Sequence, residues 1–167
     1  MKLMRLFLAI IALVVFLNGP AAAQEKHFHP KGKMPSQYTV DLQNEHRQAL
    51  PFEDKRDFEE QKKGFIAAPD YKQIKAEADH VAWDMGSYEW LLQGKDFDSI
   101  HPSLQRQAIL NMNYGLYEVI PGIYQVRGYD LANISFIKGK TGWIVFDPLT
   151  AKETAAAALK FVNEQLG

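Results

Sequence analysis

Five histidines and no cysteine bound the chemistry this sequence can carry. Two of the histidines form His27-Phe28-His29, an H-x-H spacing that offers two imidazoles to a zinc ion. A zinc site needs three or four converging ligands, and the next residues, Pro30, Lys31 and Gly32, supply none, so the pair is read as no designed metal site. His46, His80 and His101 stand alone in sequence and read as exposed or packing residues. Without a thiol, disulfide scaffolds, zinc fingers and cysteine nucleophiles are excluded. No nucleophile elbow, phosphate-binding loop or dinucleotide-binding glycine motif occurs either. Lys+Arg 19 against Asp+Glu 20 leaves a net charge of -1, which supplies no cationic excess for a phosphate lattice, so no nucleic-acid partner is expected.

Around these residues the chain divides into segments of different character. In residues 1–23, Lys2 and Arg5 precede an apolar run from Leu6 to Leu17, followed by Asn18-Gly19-Pro20 and Ala21-Ala22-Ala23. That is the pattern of a secretory signal peptide cut after Ala23. Its apolar run is shorter than the about 20 residues that span a bilayer, so no stable membrane anchor is expected, and the mature chain is placed in the periplasm or outside the cell. A chain exported without cysteines must fold on burial alone.

Residues 24–70 are polar and weakly periodic, punctuated by Pro30, Pro35, Pro51 and Pro69, and read as an extended polar arm with too little apolar area to repay its ordering. Residues 71–114 read as a helical segment, because Ile74, Ala78, Val81, Ala82 and Met85 recur at steps of three and four before Gly86. A further helix is expected to start from Ser103 as N-cap, and Trp83, Tyr88 and Trp90 read as packing anchors rather than an aromatic ligand cage.

From residue 115 the period changes, with four β-rich runs at 115–120, 122–127, 133–137 and 142–146, joined by Pro121-Gly122 and by Gly139-Lys140-Thr141-Gly142. Trp143 to Phe146 is continuously apolar and predicts an inner strand buried on both faces. Thr150-Ala151-Lys152-Glu153 has the form of a capping box, opening a helix from about Ala151 to Leu166 with Gly167 at its C-terminal cap.

His101-Pro102-Ser103-Leu104-Gln105-Arg106-Gln107, Gly115-Leu116-Tyr117-Glu118-Val119, the run from Gly122 through Gly128-Tyr129-Asp130-Leu131-Ala132-Asn133 to Ile134, and Gly142-Trp143-Ile144-Val145-Phe146-Asp147-Pro148-Leu149-Thr150 together resemble the amino-terminal part of the alkylsulfatases of the metallo-β-lactamase superfamily. The resemblance departs at His101 and Gln105, where the family pattern has Asn and Trp. It implies an α/β fold, the incomplete N-terminal half of a metallo-β-lactamase αββα sandwich covering residues 115–167, preceded by the arm and the helical segment. It implies an exported enzyme that hydrolyses primary alkyl sulfate esters such as dodecyl sulfate with two zinc ions, and that forms a homodimer through C-terminal regions. The family's metal loop, H-x-H-x-D-H, is absent from this sequence, so no zinc is expected to bind this chain alone and no catalytic or metal-ligating residue is assigned.

The same resemblance places Tyr129, Asp130 and Leu131 in a loop beside the metal cleft, where they would line the path of the alkyl chain. It also places Asp147 at the end of an inner strand, where it would steady the metal loop through hydrogen bonds or simply form a turn before Pro148. Arg127 is read as an ion-pair residue rather than a sulfate ligand. Two functions remain in view: the N-terminal piece of a zinc-dependent alkylsulfatase, inactive by itself, or a non-catalytic periplasmic binding module of the same descent.

Overall fold

Short apolar strands between glycine, proline and aspartate turns close into an antiparallel sheet, and the computed structural model, which describes residues 32–167, shows how. The signal peptide expected over residues 1–23 and the His27/His29 pair lie outside the described residues. Everything below concerns the unit Pro35–Gly167.

In chain order the elements are α1 (Gln37–Ala49), α2 (Arg56–Glu60), β1 (Phe65–Ala67), β2 (Gln73–Lys75), β3 (Val81–Asp84), a 3-10 turn (Glu89–Gln93), α3 (Pro102–Leu110), β4 (Gly115–Ile120), β5 (Ile123–Arg127), β6 (Ile134–Lys138), β7 (Trp143–Phe146) and α4 (Lys152–Leu166). Five strands form one sheet in the order β1-β4-β5-β6-β7, while β2 and β3 pair as a separate hairpin. All pairings are antiparallel. The four β-rich runs read from residue 115 onward correspond to β4 to β7, and the capped helix that follows them to α4.

The core sits between one face of the sheet, α4 and the β2–β3 hairpin. Alternation along β6 sends Ile134 and Phe136 inward, where they pair across the strands with Val126 and Tyr124 of β5. Phe161 and Val162 of α4, with Ile74 and Met85 from the hairpin region, complete the same cluster. Trp143 ties β7 to α4 through its indole N–H, which donates to Asn163 Oδ1 at 2.9 Å. On the opposite face, Arg127 lies over the Tyr117 ring at 4.2 Å, and its Nε donates to Gln125 Oε1 at 2.7 Å. The guanidinium is therefore held by a ring and a carboxamide, where an ion pair had been expected.

Four local expectations are corrected. Within the span 24–70 read as an extended arm, residues 37–49 form α1, whose Ser36 hydroxyl accepts from Thr39 N. A second turn of helix, α2, is pinned because Arg106 lies over Phe58 at 4.8 Å and donates to the Asp54 carbonyl at 2.7 Å. Tertiary anchoring by one arginine thus replaces the apolar area that the segment lacks.

The helical reading of 71–114 fails over its first part. Ile74 faces Trp83 across a hairpin whose turn uses Asp79 at φ 60. Ile74 and Met85 are both buried because they flank that hairpin, so a spacing that mimics a helix comes from two strands contributing to one core.

At α3, the cap is His101 rather than Ser103: its Nδ1 accepts from Ser103 N at 3.2 Å, with Pro102 at the first helical position. His101 also meets His46 of α1, their ring centroids 4.6 Å apart, so two histidines isolated in sequence pack together.

Finally, among the described residues β7 stands at the edge of the sheet where an inner strand was expected: Ile144, Val145 and Phe146 are 56%, 41% and 58% exposed. Its apolar run is what a two-face-buried strand would show, but a neighbour is present on one side alone among the described residues.

Candidate functional site

The turn Gly128-Tyr129-Asp130-Leu131 links β5 to β6 and sits beside a cleft of about 540 Å³. That size is ordinary for a small-molecule site. The cleft is bounded by α2, by β3 with the residues after it, by the C-terminal end of α3 and by the β5–β6 turn, and its wall is mainly apolar.

Gly128 allows the turn to form. Its φ of +79 is unfavourable for any L side chain, and a Cβ there would lie 2.4 Å from the Cβ of Tyr114. The backbone approach also lets Trp83 Nε1 donate to the Gly128 carbonyl at 2.8 Å, which joins the hairpin to the main sheet. Replacing Gly128 by Ala is expected to cost at least about 2 kcal/mol, from backbone strain and the displaced Tyr114 ring together. Urea denaturation of the two proteins checks this, and equal midpoints would refute it.

The three residues expected along an alkyl-chain path occupy three different environments. Tyr129 is fully buried in the core, stacked on Phe161 at 6.0 Å, and its hydroxyl meets that of Tyr71 at 3.2 Å. Burial pushes its phenol pKa well up, with the Tyr71 hydroxyl adding to the shift, so it stays neutral. Leu131 is 87% exposed and forms part of the cleft wall.

Asp130 also lines the cleft, yet its carboxylate is engaged from behind. One oxygen accepts from Leu131 N at 2.6 Å and the other from Thr150 N at 3.1 Å. The hydroxyl of Thr150 approaches at 2.7 Å and that of Thr154 at 2.9 Å. Burial pushes this carboxyl up, but the hydrogen bonds from Thr150, Thr154 and Leu131 outweigh it and hold the pKa below the ordinary value of 3.8.

That network explains why the capping box does not form. Thr150 spends its hydroxyl on Asp130, the N-cap position falls to Ala151 without a side-chain cap, and Thr154 Oγ1 is shared between Asp130 and the Ala151 carbonyl at 2.9 Å. A buried carboxylate needs donors more than a solvent-facing helix end does. The network also clamps a strained turn, since Asp147 and Leu149 both have positive φ, at 53 and 69. Asp147 itself is exposed on that turn. Sequence reasoning singled out Asp130, and Thr150 only as a helix cap, but not the pairing of Asp130 with Thr150 and Thr154, because separations of 20 and 24 residues along the chain carry no local signal.

Among the described residues no group of three or more His, Cys, Asp or Glu converges as a metal site would require. What the cleft offers is non-covalent binding: apolar wall, aromatic rings and carboxylates.

No family model matches the chain. It is 49% identical over 110 residues to an (R)-specific secondary-alkylsulfatase of Pseudomonas sp., the match covering 66% of this chain and 16% of that protein. A linear primary-alkylsulfatase of Pseudomonas sp. is 47% identical over 111 residues, covering 66% and 16%. The alkyl/aryl-sulfatase BDS1 of Saccharomyces cerevisiae is 41% identical over 111 residues, covering 66% and 17%. The solved structure of the stereoselective inverting sec-alkylsulfatase Pisa1 from Pseudomonas sp. superposes with a TM-score of 0.73 at 45% identity, covering 79% of this chain and 21% of that one. The chain thus spans about a sixth of the length of the curated relatives it matches. With identity at this level and a shared backbone, the chain is similar in sequence and fold to an N-terminal part of the alkylsulfatases.

Proposed function

We propose that this chain serves the hydrolysis of primary alkyl sulfate esters, of which dodecyl sulfate is an example, in an exported, zinc-dependent setting. Its own share is the sheet and the Asp130-clamped turn, not the metal ligands. The observation that supports this reading is the 47% identity to a linear primary-alkylsulfatase.

The test is direct: residues 24–167, purified and supplied with zinc, are expected to release no sulfate from dodecyl sulfate. Zinc-dependent turnover by this chain alone would overturn the division of labour. A second reading, a binding module without catalysis, is favoured by the cleft itself, which is formed entirely by residues of this chain. It requires a cooperative thermal transition, and a flat melting trace would remove it.

A further inference from the structure

We infer that the cleft between α2, the β2–β3 hairpin and the β5–β6 turn is a binding site for an organic cation carrying an alkyl tail. The inference stands on the cleft's own chemistry and does not depend on the sulfatase reading.

Three aromatic side chains, Trp83 and Tyr88 from the segment after β2 and Tyr114 from just before β4, line its wall. Trp83 is fixed through its bond to the Gly128 carbonyl, whereas Tyr88 is 59% exposed and spent on no other ring. Aromatic faces attract cations, most strongly where water is partly excluded, as at the bottom of a cleft. Met85 and Met112 add soft apolar surface that adapts to a flexible tail.

The charges point the same way. Asp57, Glu60 and Asp84 all line the cleft. Their partners stand outside the cleft lining: Arg106 lies 3.2 Å from Asp57, Lys63 lies 2.7 Å from Glu60, and Gln73 donates to Asp84 at 2.8 Å. Neither Arg106 nor Lys63 belongs to the cleft wall. The single basic residue on the described wall, Arg127, is committed to the Tyr117 ring and Gln125. An anionic head group would meet carboxylates without a free cation, whereas a quaternary ammonium would meet carboxylates and rings together.

Three probes with the same tail and different heads separate the possibilities: octyltrimethylammonium, 1-octanol and octyl sulfate, each titrated below its micelle concentration into the full chain and followed by tryptophan fluorescence. The ammonium is expected to bind about tenfold or more tighter than the sulfate, with the alcohol between them. Tyr88→Leu keeps the apolar area at an exposed position and is expected to weaken ammonium binding about fivefold, leaving the alcohol unchanged. Glu60→Gln is expected to weaken the ammonium alone and to flatten its salt dependence. Far-UV circular dichroism confirms that both variants keep the fold. Octyl sulfate binding as tightly as the ammonium, or ammonium binding indifferent to both substitutions, would overturn the proposal.

Discussion

Asp130→Ala is expected to destabilise the chain by about 3 kcal/mol, because it strips the acceptor from two backbone amides and leaves two threonine hydroxyls without their common partner. The donors are Leu131 N, Thr150 N, Thr150 Oγ1 and Thr154 Oγ1, all within 3.1 Å of the carboxylate. Losing them also releases the Asp147-Pro148-Leu149 turn, whose two positive-φ residues persist only while their surroundings hold them. Asp130→Asn keeps one accepting oxygen and is expected to cost about half as much.

The pH dependence has a definite sign. Because the folded carboxyl titrates below its ordinary value of 3.8, the unfolded chain binds the proton more readily. The stabilisation is therefore fully present above that ordinary value and is lost as pH falls through the lower, folded one. Urea titrations at pH 7 and in steps below pH 4 should show the wild type losing stability on acidification more steeply than Asp130→Asn. Parallel curves for the two proteins would refute the assignment.

Phe136→Ala is expected to have the largest effect, about 4 kcal/mol. Phe136 is fully buried at the centre of the sheet face that α4 covers. It pairs across strands with Tyr124 on one side and Val145 on the other, and meets Trp143 edge-on at 6.1 Å. Removing the ring leaves a cavity walled by rigid strands, which cannot collapse to fill it. A melting-temperature decrease of roughly 10–20 °C would accompany it. The comparison is Ile144→Ala on neighbouring β7, where the side chain is half exposed and the cost should stay below about 1 kcal/mol. Similar losses at both positions would mean that the core does not lie where the sheet places it.

Much of the sheet was legible because its signals are local. Glycine, proline and aspartate turns bound β4 to β7 at short intervals, and alternation along β6 marks Ile134 and Phe136 as inward. The expected helix caps were legible in type but not in use: Ser103 yields the cap of α3 to His101, and Thr150, suited to cap α4, turns to Asp130. Local propensity states what a side chain is able to do, and a buried carboxylate decides which of those options it takes.

The cleft was not legible at all. Trp83, Tyr88 and Trp90 drew notice as a cluster in sequence, but Trp90 packs on Phe97 at 5.1 Å, while Trp83 and Tyr88 share the cleft wall with Tyr114. Likewise Gln105 and His101, the two departures from the family motif, lie on α3 and its cap, where His101 packs on His46 and Gln105 donates to the Lys95 carbonyl at 2.7 Å. These groupings arise from elements folding against one another, and no spacing along the chain encodes them.

By itself, the sequence determined the strand-turn rhythm from residue 115 to the end, the exclusion of thiol chemistry and the resemblance to alkylsulfatases, because each depends on residue types and their near neighbours. Tertiary structure alone decided that residues 37–49 are helical, that Ile74 lies on a hairpin strand with Met85 just after the hairpin, and that Asp130 is a clamp for the turn before α4. In each of those cases the stabilising partner lies elsewhere in the fold, and burial and hydrogen-bond satisfaction outweigh the weaker preferences of the local chain.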